Sequence, residues 1–216
     1  MTRLVELEVS AVVDAWRTAG LDVSDDGVAS VGGVRLRFVE PAPHALGLRG
    51  WVLDGDPPGE NTSIDGIPTV VTAESAGGGD GAPCGRLRAL GIDHVVVTTP
   101  SLDRTCAAIE AATGEPLKRA REAGGGMRQG FHRFGPVVIE VLERPDIEPA
   151  AAAELWGFVL NVEDLHDAAS WLGPDVLSPP KAAVQPGRYI SSFRPAAALG
   201  LPVALMTPDP RQHRGA

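Results

Sequence analysis

Hydrophobic and polar positions switch between two periods along this chain, and the switches predict its strands and helices. The stretch HVVVTT, which begins at His94, is a continuous β-branched run of the kind found in buried strands. Apolar residues then recur at helical spacing through 102–112, with Ser101 before them as an N-cap and Gly114 after them as a terminating glycine. The pattern predicts a buried strand that leads directly into a capped helix.

The same order of elements returns along the chain. After the helix, three strands are predicted in PLKRARE, MRQGFHRFG and PVVIEVLER. A second unit follows in LWGFVLNV, the helix EDLHDAASWLGP, and the strands GRYISSFRP and LPVALMTP. Near the start, LVELEVS precedes a helix that Ser10 would cap and Gly20 would end, and a hairpin turns at Gly32 and Gly33. Two further strands in 46–75 lack a helix between them, which favours a degenerate fourth copy.

Residues 76–87 form a Gly-rich segment with little to bury, which is typical of a linker. This linker would separate an N-terminal region of degenerate modules at 1–75 from a two-module domain at 88–209, with 210–216 as a tail. Because a single unit of this kind cannot bury its sheet face alone, the copies are expected to pair. The predicted architecture is an internally duplicated α+β sheet protein.

Composition and charge narrow the classes of function. The 216 residues are 44% hydrophobic and 22% charged, as in ordinary globular proteins that bury a core. The formal charge of −9 argues against a nucleic-acid partner, because nucleic-acid affinity depends on Lys and Arg that neutralise phosphates. No apolar run approaches the roughly 18 residues of a membrane span, and no signal peptide is evident, so we expect no membrane partner and a cytoplasmic location. Cys84 and Cys106 form no CxxC motif, and we expect free thiols without a structural zinc site.

The segment DHVVVTTPSLDRTCAAIEAATG, followed after a variable hairpin by FGPVVIEVLER, resembles the vicinal oxygen chelate superfamily. That superfamily includes glyoxalase I, methylmalonyl-CoA epimerase, extradiol dioxygenases, and the bleomycin and fosfomycin resistance proteins. The resemblance covers 88–208 well and 1–75 more weakly, and it implies α+β modules of type βαβββ that pair into a curled mixed sheet around a cleft. In metal-dependent members the first strand of a module commonly provides a His ligand and the last strand a Glu, here His94 and Glu140. The resemblance also implies a homodimer.

The residues themselves support part of this implication. A carboxylate in the centre of VVIEVL costs free energy to bury unless it is paired, protonated or bound to a cation. Strand alternation places His94 and Val96 on one face of their strand, and Val138 and Glu140 on one face of theirs. An imidazole and a carboxylate together are the beginning of a site for Zn, Ni, Fe, Mn or Co.

The sister unit does not complete such a metal site. Gly157 stands at the position that matches His94, and Ala204 stands at the position that matches Glu140. In the N-terminal unit, Arg37 occupies the carboxylate position. Replacement ligands would have to come from a second subunit or from His132, Gln129, Glu6 or Glu8.

Other polar and aromatic residues are candidates for contacts with a ligand. On the strand MRQGFHRFG, alternation separates Arg128 and His132 from Gln129 and Arg133. Trp156 lies beside the vacant ligand position and is a candidate wall of an apolar pocket. The predicted substrate-binding residues are Arg128, Gln129, Trp156 and Arg188.

Two classes of function remain open, and both involve a small-molecule ligand. The first is a glyoxalase-like lyase, isomerase or dioxygenase, in which a divalent metal on His94 and Glu140 acts as a Lewis acid while Glu140 or His132 moves a proton. The second is a metal-free protein that sequesters a small molecule, as resistance proteins of the superfamily do. Retention of His94 and Glu140 favours the first class. The missing partner ligands favour the second, so a metal cofactor and no cofactor are both compatible with the sequence.

Overall fold

Two mixed β-sheets and three α-helices make up the computed structural model, which describes residues 1–41, 45–55, 62–73 and 82–209. The first sheet contains β1 (Arg3–Ser10), β2 (Val28–Val31), β3 (Val34–Val39), β4 (Gly47–Asp54), β5 (Thr62–Ile64) and β6 (Ile67–Thr72). The second contains β7 (Ala89–Thr99), β8 (Arg119–Gly124), β9 (Met127–Phe134), β10 (Val137–Glu143), β11 (Glu154–Val162), β12 (Lys181–Ala182), β13 (Tyr189–Ser192) and β14 (Val203–Met206). The helices are α1 (Val13–Thr18), α2 (Leu102–Thr113) and α3 (Leu165–Leu172).

The strand pairing shows the internal duplication. The eight-stranded sheet has the order β12-β13-β14-β11-β7-β10-β9-β8, with β7 parallel to β10, antiparallel to β11, and β11 parallel to β14. The six-stranded sheet has the order β2-β3-β1-β4-β6-β5, and β1, β3, β4 and β6 repeat that pattern of directions. Strands β4, β5 and β6 therefore take the places of β11, β13 and β14, as a degenerate copy would. The α+β fold with paired modules is confirmed.

Local sequence signals account for the ends of the longer helices. The Ser101 side chain accepts a hydrogen bond from the Arg104 amide, and Gly114 ends α2 in the left-handed region with φ of 72°, its N–H bonded to the Glu110 carbonyl. Asp164 caps α3 in the same way. The longest of these helices has 12 residues, and no helix in the described part of the chain is long and apolar enough to cross a membrane.

Helix α1 begins later than the sequence predicts. Ser10 does not cap it, because Ser10 is the last residue of β1 and pairs with Val39 and Gly47 in the sheet. Val12 occupies the N-cap position and provides no side-chain hydrogen bond. Gly20 follows the end of the helix as predicted, with φ of 94°.

Both sheets contribute to one hydrophobic core. Trp16 on α1 is 2% exposed and lies between the sheets, with its ring centroid 5.1 Å from Phe38 and 5.9 Å from Phe158. The Trp16 indole N–H donates a 3.2 Å hydrogen bond to the Leu199 carbonyl. The two sheets therefore share one hydrophobic core.

A second contact joins the tip of the first sheet to α2. Asp65 and Gly66 form the turn of the β5–β6 hairpin, both with positive φ, which is the geometry favoured by an Asp-Gly pair. Asp65 accepts an ion pair from Arg104 Nε at 2.8 Å and a hydrogen bond from Thr105 Oγ1 at 2.5 Å. Because Asp65 belongs to the first sheet and Arg104 to α2, this contact holds the hairpin against α2.

The predicted linker is packed where the structure describes it, at 82–87. Leu87 is 3% exposed, and its amide donates a hydrogen bond to the Gly20 carbonyl at 3.0 Å. Residues 76–81 and the predicted tail at 210–216 lie outside the described residues. The domain boundaries stay a prediction.

Candidate active site in the curled sheet

The concave face of the eight-stranded sheet holds a cleft of about 670 Å³. Its floor and walls include Asp93, His94, Gln129, Glu140, Ile190 and Met206. Strands β8 and β12 line the same cleft although they are opposite edges of the sheet, and they do not pair with each other. The sheet is therefore curled around the cleft without closing into a barrel, while α2 packs on the outer face of β9 and β10.

His94 and Glu140 meet on the floor of this cleft. Strands β7 and β10 pair in parallel with His94 opposite Val138 and Val96 opposite Glu140. This register places the two candidate side chains on the same face, with His94 Nε2 3.9 Å from Glu140 Oε2. Their side chains are 15% and 17% exposed, so both are accessible to a ligand in the cleft.

Asp93 lies beside His94 on the cleft side, which strand alternation does not predict. Along the β7–β11 pairing, His94 is opposite Val159 and Ile92 is opposite Leu160, so Asp93 has no partner and forms a β-bulge. A bulge turns a side chain out of the alternating pattern. Asp93 Oδ2 is consequently 2.8 Å from His94 Nδ1. Because a carboxylate only accepts hydrogen bonds, Nδ1 carries the proton and Nε2 faces the cleft.

Arg188 binds the carboxylate oxygen of Asp93 that does not contact His94. Its side chain is 4% exposed, and it donates to Asp93 Oδ1 at 2.5 Å, to Asn161 Oδ1 at 2.6 Å and to the Thr207 carbonyl at 2.8 Å. Burial alone would raise the pKa of Asp93, but the hydrogen bonds from His94 and Arg188 outweigh it and lower that pKa below its ordinary value. Arg188, predicted to contact substrate, therefore supports His94 through an ionised Asp93.

A second network positions Glu140. Gln129 donates a 2.6 Å hydrogen bond to Glu140 Oε1, and Arg121 Nε donates a 2.8 Å hydrogen bond to Gln129 Oε1. Gln129 is on β9 directly opposite Leu142, two residues along from the partner of Glu140. Glu140 Oε2 is left towards His94, so the two networks converge on one point of the cleft floor.

Four of the predicted site residues do not line this cleft: Arg188, which lines a different pocket, and Arg128, His132 and Trp156. Arg128 and His132 lie on the face of β9 that is turned towards α2. Gly130 lies on the same face, and a Cβ added to it would meet Leu102 and Cys106 of that helix. Arg128 pairs with carboxylates on the outer face of the sheet, and the predicted catalytic His132 is 1% exposed, with Nδ1 donating to the Glu115 carbonyl at 3.0 Å. Trp156 is the unpaired residue of a bulge on β11 and lines a separate groove with its side chain 46% exposed.

Burial of His132 is expected to make folding stability depend on pH. Burial lowers the pKa of His132 and outweighs the hydrogen bond to the Glu115 carbonyl, which raises it. As the pH falls below about 6.5, His132 is protonated more readily in the unfolded chain than in the folded chain. The folded state is therefore most stable above that pH, and its free energy of unfolding decreases as the pH falls. Relative to His132→Gln, the wild type should lose up to about 1.4 kcal/mol of unfolding free energy per pH unit below pH 6.5.

The measurement is urea denaturation between pH 8 and pH 5. His166→Gln, at an exposed helix position, is the control and should follow the wild type. A constant difference between wild type and His132→Gln across this range would contradict the prediction.

The sister positions hold no ligands. Val96 pairs with Glu140 as Val159 pairs with Ala204, so Ala204 is the counterpart of Glu140 in the structure as well as in the sequence. At Gly157, the counterpart of His94, an added Cβ would lie 2.2 Å from the Pro202 carbonyl oxygen, so no side chain fits there without backbone movement.

The equivalent face of the first sheet is closed by ion pairs. Glu6 is opposite Arg35 and Glu8 opposite Arg37, so Glu6 takes the place of His94 and Arg37 that of Glu140. Arg37 Nε is 2.7 Å from Glu6, Arg35 Nε is 3.0 Å from Glu6, and Arg37 also pairs with Glu8. The two glutamates are bound within their own sheet and do not reach His94.

The donors around His94 do not fit a transition metal held by this chain alone. Such sites use three or four protein ligands, and the cleft offers only His94 Nε2 and Glu140 Oε2. Gln129 Oε1 already accepts from Arg121, and His132 points away. Within 1–41, 45–55, 62–73 and 82–209, no group of three His, Cys, Asp or Glu side chains could hold a metal ion.

Comparison with known proteins shows which solved structures share this architecture. No family model matches the sequence, and no curated protein matches it. A triple mutant of 4-hydroxymandelate synthase from Streptomyces coelicolor is similar over 96% of this chain and 92% of its own, with a TM-score of 0.64 and 14% identity. Methylmalonyl-CoA epimerase from Mycobacterium tuberculosis is similar over 58% of this chain and 92% of its own, with a TM-score of 0.46 and 16% identity. The chain has the fold of the vicinal oxygen chelate superfamily, as its sequence resemblance implied.

Proposed function

We propose that this chain is a glyoxalase-like lyase or isomerase that moves a proton on a small molecule bound in the cleft, without a resident metal. The observation that carries the proposal is the Asp93–His94 pair, whose free imidazole nitrogen faces Glu140 at 3.9 Å on an accessible cleft floor. Two groups able to exchange protons are thus fixed side by side where a ligand can reach both.

His94 is suited to act as a general base. Donation of its Nδ1 proton to Asp93 leaves the lone pair on Nε2, directed into the cleft. When Nε2 takes a proton, the positive imidazolium is stabilised by the ionised carboxylate of Asp93. The ion pair with Arg188 favours this ionised form, and the pKa of Asp93 is lowered accordingly. This is the role that a buried carboxylate has behind a catalytic histidine in other acid–base sites.

Glu140 is the second proton-exchanging group. At 3.9 Å its Oε2 is too far from His94 Nε2 for a strong direct hydrogen bond, and substrate atoms can contact both groups. His94 Nε2 removes the proton from a carbon next to a carbonyl, and the imidazolium returns that proton, directly or by way of Glu140 Oε2, to the same or a neighbouring atom. Gln129 holds Glu140 in place through Oε1 while Oε2 stays free for this exchange.

The metal content of the purified protein distinguishes the metal-free proposal from the metal-dependent hypothesis. Because His94 and Glu140 are only two donors, we expect well under one equivalent of Zn, Ni, Fe, Mn or Co per chain after dialysis. Elemental analysis by plasma mass spectrometry measures this directly. About one equivalent of a single metal, lost in both His94→Ala and Glu140→Ala, would contradict the metal-free proposal.

The homodimer and the cytoplasmic location stay predictions.

Solvent exchange tests the proposed reaction before the natural substrate is known. A panel of 2-oxo and 3-oxo carboxylic acids in D₂O with EDTA is followed by ¹H NMR for loss of the proton next to the carbonyl. We expect the wild type to accelerate exchange in at least one compound and His94→Gln not to do so. A compound that raises the melting temperature of the protein yet exchanges only at the buffer rate would instead favour the sequestering function.

A further inference from the structure

Three cationic side chains line the same cleft. Arg119 and Arg121 project from β8, and Lys181 projects from β12. Arg119 is opposite Phe131, and Arg121 is opposite Gln129, and both of these β9 residues line the cleft. The register of the edge strand therefore directs both arginines to the same space as His94 and Glu140.

These three cations line one cleft together, and none of them has an acidic partner among the described residues. The chain has 28 acidic and 19 basic residues, and many of its arginines are ion-paired. Within the described residues, the side chains of Arg119 and Lys181 have no hydrogen bond or ion pair, and the Arg121 side chain bonds the neutral amide oxygen of Gln129. Paired arginines elsewhere are Arg17, Arg35, Arg37, Arg88, Arg104, Arg128, Arg144 and Arg188.

The cleft has more positive than negative charge, although the protein as a whole is acidic. Its carboxylates are Asp93, which Arg188 neutralises, and Glu140, which Gln129 binds. In formal charge, Glu140 offsets one of the three cations Arg119, Arg121 and Lys181, so two positive charges remain without a compensating charge in the cleft. In a protein of formal charge −9, such a local positive region attracts an anion that the rest of the surface repels.

We infer that the ligand of this cleft carries an anionic oxygen group, a carboxylate or a phosphate, in addition to the carbonyl next to its reacting carbon. Arg119 and Arg121 bind this group from one edge of the curled sheet, and Lys181 binds it from the other. The Arg121 guanidinium lies over the Phe131 ring, 5.3 Å from its centroid, and this contact orients the guanidinium towards the cleft. The reference to a reacting carbon rests on the proposed function, whereas the anion site does not.

Part of the cleft wall is apolar. Ile190 on β13 and Met206 on β14 line it and belong to a small buried cluster that includes Val159 and Ala204. A ligand with an apolar body between its anionic group and its carbonyl matches this arrangement, because the body covers the apolar wall while the two ends meet polar groups.

Binding of simple anions tests the inference without a known substrate. Butyrate, butyl phosphate and neutral butyramide share the apolar chain and differ in charge, and each is titrated into the full-length protein by calorimetry at low ionic strength. We expect at least one of the two anions to bind about 10-fold more tightly than butyramide, with binding weakened by added NaCl. The anion that binds better distinguishes a carboxylate site from a phosphate site. Equal binding of all three compounds would overturn the inference.

Charge-removing variants locate the site. Arg119→Gln and Lys181→Gln are each expected to weaken anion binding about 10-fold, because each removes a charged donor that has no structural partner. Lys118→Gln is the matched control, since it removes the same charge from the residue next to Arg119, at an exposed position that does not line the cleft. Equal loss in Lys118→Gln, or no loss in Arg119→Gln and Lys181→Gln, would overturn the inference.

These outcomes are separable from those of the exchange assay. Anion binding that depends on Arg119 and Lys181, without any proton exchange, would support the anion site and contradict the proposed enzyme. Exchange that depends on His94 but is unchanged in Arg119→Gln and Lys181→Gln would support the enzyme and contradict the anion site.

Discussion

The His94→Gln variant is expected to exchange the substrate proton about 10²- to 10⁴-fold more slowly than the wild type, because general acid–base groups typically contribute that much. Glutamine retains a polar side chain of similar size, so the loss reports the missing base more than a packing defect. The rate of proton loss in D₂O, measured at saturating substrate, gives the comparison.

Two further variants make this result specific to the Asp93–His94 pair. His166→Gln changes a helix histidine that does not line the cleft and should keep the wild-type rate. Asp93→Asn should also slow exchange, because a neutral amide does not stabilise the imidazolium as a carboxylate does. It should lower stability too, since Arg188 would lose the carboxylate that compensates its buried charge. Exchange by His94→Gln at the wild-type rate would remove the proposed mechanism.

The Trp16→Ala variant is expected to lower the free energy of unfolding by about 3–5 kcal/mol. Trp16 is 2% exposed and contacts Phe38 in the first sheet and Phe158 in the second, so its removal leaves a cavity in the core that both sheets share. It also leaves the Leu199 carbonyl without its hydrogen bond. Denaturation in urea, followed by circular dichroism, measures the change.

Trp156→Ala is the matched control for this experiment. The Trp156 side chain is 46% exposed in a surface groove, so the same truncation should cost about 1 kcal/mol or less. Equal losses in the two variants would contradict a shared core centred on Trp16. So would a wild-type unfolding curve with two separate transitions, since sheets joined through one core are expected to unfold together.

Much of the fold could be predicted because its signals are local. Ser101 and Gly114 delimit α2 through the hydrogen bonds of the residues next to them, and the strand-helix-strand order follows from changes in hydrophobic period. The prediction for Ser10 was wrong because its backbone pairs with Val39 and Gly47, which are distant in sequence. A helix cap is a local preference, and pairing in a sheet overrode it.

The candidate site was predicted in part. Alternation correctly separated Gln129 from His132 on β9, but it did not indicate which face would be covered by α2. Asp93 was missed, because regular alternation places it on the face opposite His94. The sequence did contain a signal, an acidic residue directly before the candidate histidine. Only the β-bulge brings that residue to the same side of the strand as the histidine.

The sequence by itself determined the order of strands and helices, and it placed an imidazole and a carboxylate in the apolar strands of one module. Both follow from residue types and periods within a few turns or strands. Only the tertiary structure decided that Asp93 and Arg188 support His94, and that cations from opposite edges face one cleft. Those contacts depend on a bulge and on the curl of an eight-stranded sheet, which arise from pairing between strands far apart in the chain.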